Sequence, residues 1–300
     1  MESTYDTPTV IAALTELGMI STDVTAVALI VKKDQHALYR ITHVGSSSVL
    51  KLFNDTTARE LAASRLLQRY GVPTLPVYGM SERALLMADL AASTAWRLAT
   101  AEDIEREKTG IAVAAWYTAL HTAGERIVRA GIPAFLTREV ASLTPESVMD
   151  TGERLGLSHL PVWRSAAEHL DRLVQAFRAY PETLNYNDFH WTNLALSRGE
   201  PLRALVFDYH LLGIGPAYCD LRNVLGSLGE RARAAFSETY GPVDERVAVL
   251  DAPLSLLYSL HVAAQLPQWP GWAKGCVRHV VSGEFAVRLQ QAIDASSLSA

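Results

Sequence analysis

Between residues 24 and 53, apolar and β-branched stretches alternate with short polar breaks: Val24 to Val31, Leu38 to Val44 and Ser48 to Phe53. Short runs of this kind, bounded by polar or Gly/Ser segments, predict three antiparallel strands. The first connection, Lys32-Lys33-Asp34-Gln35-His36, is a hairpin loop without glycine, and Gly45-Ser46-Ser47 makes the second turn. The spacing then becomes helical from about Thr57 to Tyr70, where Ala63, Leu66, Leu67 and Tyr70 recur on one face, until Gly71-Val72-Pro73 stops it. Two further short apolar runs, Leu75 to Gly79 and Ala84 to Met87, complete a small sheet.

Beyond residue 91 the periodicity is helical over about 102–130, 160–179, 217–240, 252–265 and 274–295. One β-like pair interrupts it, Asn193 to Leu196 and Leu205 to Phe207. The pattern predicts an α+β protein of two lobes, a small antiparallel-sheet lobe over 1–90 and a larger, mainly helical lobe over 91–300, joined near Asp89 to Ala92. No internal repeat, low-complexity segment or Ser/Gly linker breaks the chain.

Three hundred residues with 49% hydrophobic composition can fill a real core, which excludes disorder, collagen and disulfide-stapled miniproteins. A net charge of -5 gives no general attraction to nucleic acid or anionic membrane. Cys219 and Cys276 are too few for a disulfide framework and read as buried thiols of a reducing compartment. The start, Met1-Glu2-Ser3-Thr4-Tyr5-Asp6, has no basic region, and no later apolar run is read as approaching the roughly 20 residues of a membrane helix. A soluble, cytoplasmic protein is expected.

The chemistry concentrates at the β-like pair. The segment Tyr186-Asn187-Asp188-Phe189-His190-Trp191-Thr192-Asn193 leads into the first strand, and Leu205-Val206-Phe207-Asp208-Tyr209-His210 ends the second. Asp188, Asn193 and Asp208 would then converge, and such hard oxygen donors suit magnesium, which keeps few protein ligands and completes its shell with water and phosphates.

This constellation resembles the aminoglycoside phosphotransferase and choline kinase superfamily, small-molecule relatives of the protein kinases. The resemblance implies a bilobal protein-kinase-like fold, Asp188 as catalytic base, and Asn193 and Asp208 as magnesium ligands. The run Gly213-Ile214-Gly215-Pro216-Ala217-Tyr218-Cys219-Asp220-Leu221 is similar to the family segment whose aspartate buttresses the catalytic loop, so Asp220 is structural. Upstream, Lys51 lies within the apolar run Val49-Leu50-Lys51-Leu52-Phe53, where an ammonium is costly unless an anion meets it. By the resemblance Lys51 binds the nucleotide phosphates and pairs with Glu60, and the run Leu85 to Leu90 forms the hinge that meets adenine through backbone atoms near Met87 and Asp89. Tyr186 stands where the family usually has histidine, Asn187 where glycine is frequent, and His210 where many relatives carry a second acid.

The expected activity is transfer of the γ-phosphoryl of ATP or GTP, with magnesium, to a hydroxyl of a small molecule. No nucleic-acid or membrane partner is expected, and nothing in the sequence specifies the acceptor or an oligomeric state. Two other readings use the same residues. Asp188, His190, Asp208 and His210 form two acid/His pairs that a hydrolytic metal centre could use, and the fold could serve as a nucleotide-binding pseudokinase or interaction module, for which Tyr186 is the main support. His121 reads as a core histidine, and Trp191, Trp269 and Trp272 as packing residues or the lining of an organic pocket.

Overall fold

The computed structural model describes residues 7–19, 23–33, 35–54 and 59–297. The acidic start at residues 1–6, Asp34 in the first hairpin loop, and the beginning of the predicted helix at residues 57–58 lie outside that range. The chain opens with α1 (Thr7–Glu16), followed by β1 (Val24–Lys32), β2 (His36–His43), β3 (Ser46–Phe53), α2 (Arg59–Arg69), β4 (Val77–Met80) and β5 (Ala84–Ala88). The five strands read from the sequence form one antiparallel sheet, and the structure sets their order as β1-β2-β3-β5-β4.

Alternation divides the sheet chemically. Tyr39, Ile41, Leu50 and Leu86 pack on one face with Val10, Ala13 and Leu14 of α1. The sequence reading did not predict α1, because a ten-residue helix is marginal by itself and forms here on an apolar surface that the sheet supplies. Val49 and Lys51, one residue out of phase with Leu50, take the other face. There Lys51 lies directly between Leu38 of β2 and Leu85 of β5, so it is an interior-strand lysine, only 3% exposed. On that side α2 buries Glu60, Ala63, Ser64 and Leu67, leaving Leu66 and Tyr70 half-buried. The helix ends at Gly71, whose φ of 75° lets the Val72 N–H return to the Leu67 carbonyl at 3.0 Å.

The rest of the chain runs β6 (Trp96–Leu98), α3 (Glu107–Ala130), α4 (Pro145–Arg154), α5 (Val162–Arg178), β7 (Glu182–Asn185), β8 (Leu194–Ser197), β9 (Ala204–Val206), β10 (Gly213–Pro216), α6 (Tyr218–Ser227), α7 (Glu230–Tyr240), α8 (Glu245–Gln265), α9 (Ala273–Val281) and α10 (Glu284–Ser297). The predicted β-like pair is β8 and β9, and β6 adds a third strand to it. A separate two-stranded sheet pairs β7 with β10. Strands of three or four residues carry too little alternation to be read locally, which is why β6, β7 and β10 escaped prediction. Two predicted helices are each two: Gly229 caps the start of α7, and Gly283, at φ 81°, separates α9 from α10.

By packing, the chain falls into two compact units, one of residues 1–123, 188–212 and 224–241, the other of residues 124–187, 213–223 and 242–300. The first holds the five-stranded sheet and the β6-β8-β9 sheet. The second is mostly helical, with Trp163, Leu170, Leu173, Leu254, Leu257, Leu260 and Phe285 among its core residues. Contrary to the expectation that no apolar run approaches a membrane helix, α8 has 21 residues, and an 18-residue stretch of it has a mean hydropathy of 1.5, long and apolar enough by those measures to cross a membrane. In the fold its leucines belong to the core of the second unit. It also carries the buried Asp251, which accepts from Arg222 at 2.5 Å, while Arg222 reaches Glu139 at 2.7 Å. Of the two thiols, Cys219 is buried, as read, whereas Cys276 is half-buried.

Candidate functional site

The loop after β7 carries the first catalytic candidates. Its backbone is held by Asp220 at the start of α6, whose fully buried carboxylate accepts the Tyr186 N–H at 2.9 Å and the Asn187 N–H at 2.8 Å. The buttressing role expected of Asp220 is thus a pair of charge-assisted hydrogen bonds. Asn187 adopts a left-handed conformation, φ 64°, open to glycine and tolerated by asparagine. That conformation accounts for either residue at this position. Tyr186 is fully buried, and its backbone N–H is one of the two that Asp220 holds.

Asp188 follows, half-buried. The Asn193 amide Nδ2 donates to the Asp188 carboxylate at 2.9 Å and to its carbonyl at 3.2 Å. With its nitrogen turned to Asp188, the amide keeps its oxygen for another electropositive group. Ser227 donates to the Phe189 carbonyl at 3.2 Å and ties down the next turn of the loop. Burial pushes the Asp188 carboxyl above its ordinary range, with the neighbouring His210 opposing the shift.

Asp208 leaves β9 in a second left-handed turn, φ 70°. Lys51 Nζ donates to Glu60 at 2.5 Å and to Asp208 at 3.0 Å, joining residues 157 apart in sequence. Burial alone would raise the Asp208 carboxyl. The His210 hydrogen bond and the Lys51 charge outweigh it and hold the group far below the usual carboxylate range. Glu60, more deeply buried, is driven up to about 7 despite the Lys51 charge. For Lys51 burial favours the neutral amine, but the two carboxylates more than compensate and keep the ammonium. A buried cation between the buried Glu60 and the half-buried Asp208 is a preorganised electrostatic device, since the burial of Glu60 depends on that partner.

Asp188, Asp208 and His210 each present a ligand atom, all within 4.8 Å of one another. His210 Nδ1 lies 3.1 Å from Asp208 Oδ1, and that hydrogen bond raises the imidazole above its ordinary range. His190 does not join them: its Nδ1 meets the Thr192 hydroxyl at 2.8 Å and accepts from the Thr192 N–H. The Asp208 carboxylate and the Asn193 amide oxygen are hard donors of the type magnesium takes, so the residues present fit that ion.

The same face of the five-stranded sheet lines a cavity of ≈ 270 Å³. Lys51, Glu60 and Asp208 occupy its polar end, while Leu38, Val49, Leu75, Met87, Leu90 and Phe207 make the apolar part. Met87 is therefore a wall of this cavity, and Asp89 lies at its margin. A residue that sequence reasoning missed holds Asp89 there: Arg40 of β2 donates at 2.6 and 3.3 Å, joined by Ser47 at 2.7 Å, and Asp89 also accepts the Ala91 N–H at 3.1 Å. The signal was present in the alternation, since Arg40 stands among the polar-facing positions of β2 between the core residues Tyr39 and Ile41. Its partner, 49 residues away, was not readable.

Other candidates lie elsewhere. His121 is buried, its Nδ1 2.7 Å from the Tyr240 hydroxyl, as expected of a core histidine. Trp191 packs near the His190 ring at 5.5 Å. Trp269 and Trp272 are exposed in the connection between α8 and α9. None of the three lines the cavity.

Residues 30–250 match the family model described as "Phosphotransferase enzyme family". No protein of curated function matches the chain in sequence. Among solved structures, the choline kinase LicA from Streptococcus pneumoniae superposes with a TM-score of 0.59 at 13% identity, over 97% of this chain and 98% of its own. A spectinomycin phosphotransferase solved with ADP and spectinomycin superposes with a TM-score of 0.54 at 12% identity, over 95% and 98%. A GDP complex of an aminoglycoside 2'-phosphotransferase gives 0.58 at 14% identity, over 97% and 98%. These likenesses carry the fold, which is that of the protein-kinase-like small-molecule phosphotransferases.

Proposed function

From the premise that the chain belongs to the phosphotransferase enzyme family, we propose that it transfers the γ-phosphoryl group of ATP or GTP to a hydroxyl of a small molecule. The observation that carries this reading is the Lys51 ammonium held between Glu60 and Asp208 at 2.5 and 3.0 Å, at the polar end of an apolar cavity. Next to it, Asp188 is bound by Asn193. That the neighbouring folds were solved with ADP and GDP supports a purine nucleotide as donor.

In this mechanism the purine occupies the apolar part of the cavity beside Met87 and the backbone near Asp89, and Lys51 meets the α- and β-phosphates. Glu60 positions the lysine. Asp188 orients the acceptor hydroxyl and takes its proton as the new oxygen–phosphorus bond forms and the bond to the β-phosphate oxygen breaks, and its burial makes it a stronger base than a solvated aspartate. Asn193 and Asp208 would hold magnesium, which when bound neutralises charge on the phosphate oxygens. Positioning and electrostatics supply nearly all of the acceleration, because the protein forms no covalent bond to the phosphoryl group. The lobe division at 1–90 and 91–300 belongs to the same proposal, the first lobe binding nucleotide and the second bearing the catalytic loop and the acceptor site.

The test is a screen of hydroxyl-bearing metabolites, amino alcohols and aminoglycosides for nucleoside diphosphate release from ATP and from GTP. It is paired with melting curves in the presence of each nucleotide and magnesium. A ligand at a hundredfold its dissociation constant stabilises the fold by about 2.7 kcal/mol. An unshifted melting temperature with both nucleotides would sink the proposal.

A further inference from the structure

The geometry points to a second use of the catalytic cluster: Asp188, Asp208 and His210 form a binding site for a transition-metal dication, with zinc as its representative, and occupation of that site blocks the base. Binding itself follows from the three side chains. The inhibitory consequence rests on the phosphotransferase reading above.

The three residues offer one ligand atom each within 4.8 Å of one another. Ligand atoms of a zinc ion at about 2.0–2.2 Å from the metal stand roughly 3–4 Å apart, so small side-chain rotations close the set. Asp208 meets both Lys51 and His210 through Oδ1, at 3.0 and 3.1 Å, which leaves Oδ2 as its coordinating atom. Asn193 donates to Asp188 Oδ2 at 2.9 Å and so fixes the orientation of that carboxylate from outside. His210 is on the surface side of the cluster, 45% exposed along its side chain, which gives an ion a path in. The excess charge of a buried lysine nearby is already balanced, because Lys51 is shared with Glu60 at 2.5 Å.

The donor set decides which ion. Magnesium takes oxygen ligands and gains little from an imidazole, whereas zinc, cobalt and other late first-row dications bind nitrogen well. Two carboxylates and one imidazole, with at least one position open, suit a zinc ion better than a magnesium ion. Such an ion uses the Asp188 lone pairs that would otherwise accept the proton of the substrate hydroxyl. Phosphoryl transfer is then inhibited by zinc even in excess magnesium.

The experiment is calorimetric titration of the metal-stripped, nucleotide-free full chain with zinc chloride, repeated with cobalt(II), whose visible absorption reports nitrogen and oxygen ligation. The proposal expects one ion per chain, an affinity at least about tenfold weaker in His210→Ala and in Asp208→Asn, and no change in His190→Ala. No binding, binding that survives His210→Ala, or an equal loss in His190→Ala would overturn it. Melting with ATP and magnesium in the same preparations separates the two readings. An ATP-induced shift without zinc binding refutes the metal site alone, and zinc binding without that shift supports the site while counting against the phosphotransferase.

Discussion

Asp220 offers a quantitative test of how the loop proposed as catalytic is held. Its carboxylate is fully buried and accepts two backbone N–H groups, from Tyr186 at 2.9 Å and Asn187 at 2.8 Å. A hydrogen bond to a charged group contributes about 1.5–3 kcal/mol, and a buried donor left without its acceptor costs a similar amount. Asp220→Ala forfeits both bonds and therefore costs about 3–6 kcal/mol, a large part of the ~5–15 kcal/mol by which a domain is stable. Asp220→Asn is the sharper perturbation. It keeps one acceptor oxygen and turns an NH2 toward the other donor, so its expected cost is about 2–3 kcal/mol. Asn187, held at φ 64°, relaxes once its N–H is released, and Asp188, the next residue, moves with it. A displacement of about 1 Å at a catalytic group costs about a hundredfold in rate. Turnover should therefore fall by one to two decades while nucleotide affinity stays near wild type, because the Lys51 ammonium is held by Glu60 and Asp208. Urea unfolding, hydrogen exchange of the two amides and turnover measure each part. Stability within about 0.5 kcal/mol of wild type, together with unchanged protection of the Tyr186 and Asn187 amides, would refute the argument.

Other expectations follow from named contacts. Asp188→Asn should lower turnover by about two to four orders of magnitude and leave magnesium-dependent nucleotide affinity intact, whereas Asp208→Ala should lose both and Asn193→Ala should follow it more weakly. Calorimetry beside steady-state kinetics decides, and unchanged affinity in Asp208→Ala contradicts the metal assignment. Asp103 receives Arg97 at 2.6 and 2.8 Å and the Thr100 N–H at 2.8 Å, and the Arg97 hydrogen bonds hold its carboxyl down at about 2, against 3.8 ordinarily. That depression contributes about 2 kcal/mol above pH 4, lost as pH falls through 2, so Asp103→Asn should be less stable by that amount at pH 7 and show a flatter acid limb in urea titrations. Gly110→Ala would place a methyl 2.0 Å from the Ala232 backbone oxygen. Since neither backbone yields cheaply, a loss of about 1–3 kcal/mol or more is expected in thermal unfolding, and an unaltered midpoint would show that α3 and α7 pack otherwise.

The five-strand sheet and α2 were legible in the sequence because alternation and helical spacing are local properties, expressed over a few residues and enforced by burial of one face. The candidate site residues stood out for a related reason. Asp188 and Asn193 share one loop, Asp208 ends the next strand but one, and Lys51 stands out because an ammonium within an apolar strand needs an anion nearby. The partners were a different matter. Lys51 meets Glu60 nine residues on, yet its second acid is 157 residues away, and Asp220 reaches the catalytic loop across 34. Arg40 looked like any polar-facing residue of a strand until the sheet brought it to Asp89. The short strands β6, β7 and β10 exist because partners supply their hydrogen bonds, and α1 because the sheet supplies its apolar surface. The apolar helix α8 depends on context in the same way: its composition alone allows a membrane or a core, and packing against α4, α5 and α10 decides for the core. Local preference thus determined which residue types could act and on which elements they stand. Only the long-range closure of the chain, with its burial and paired charges, decided which of them meet.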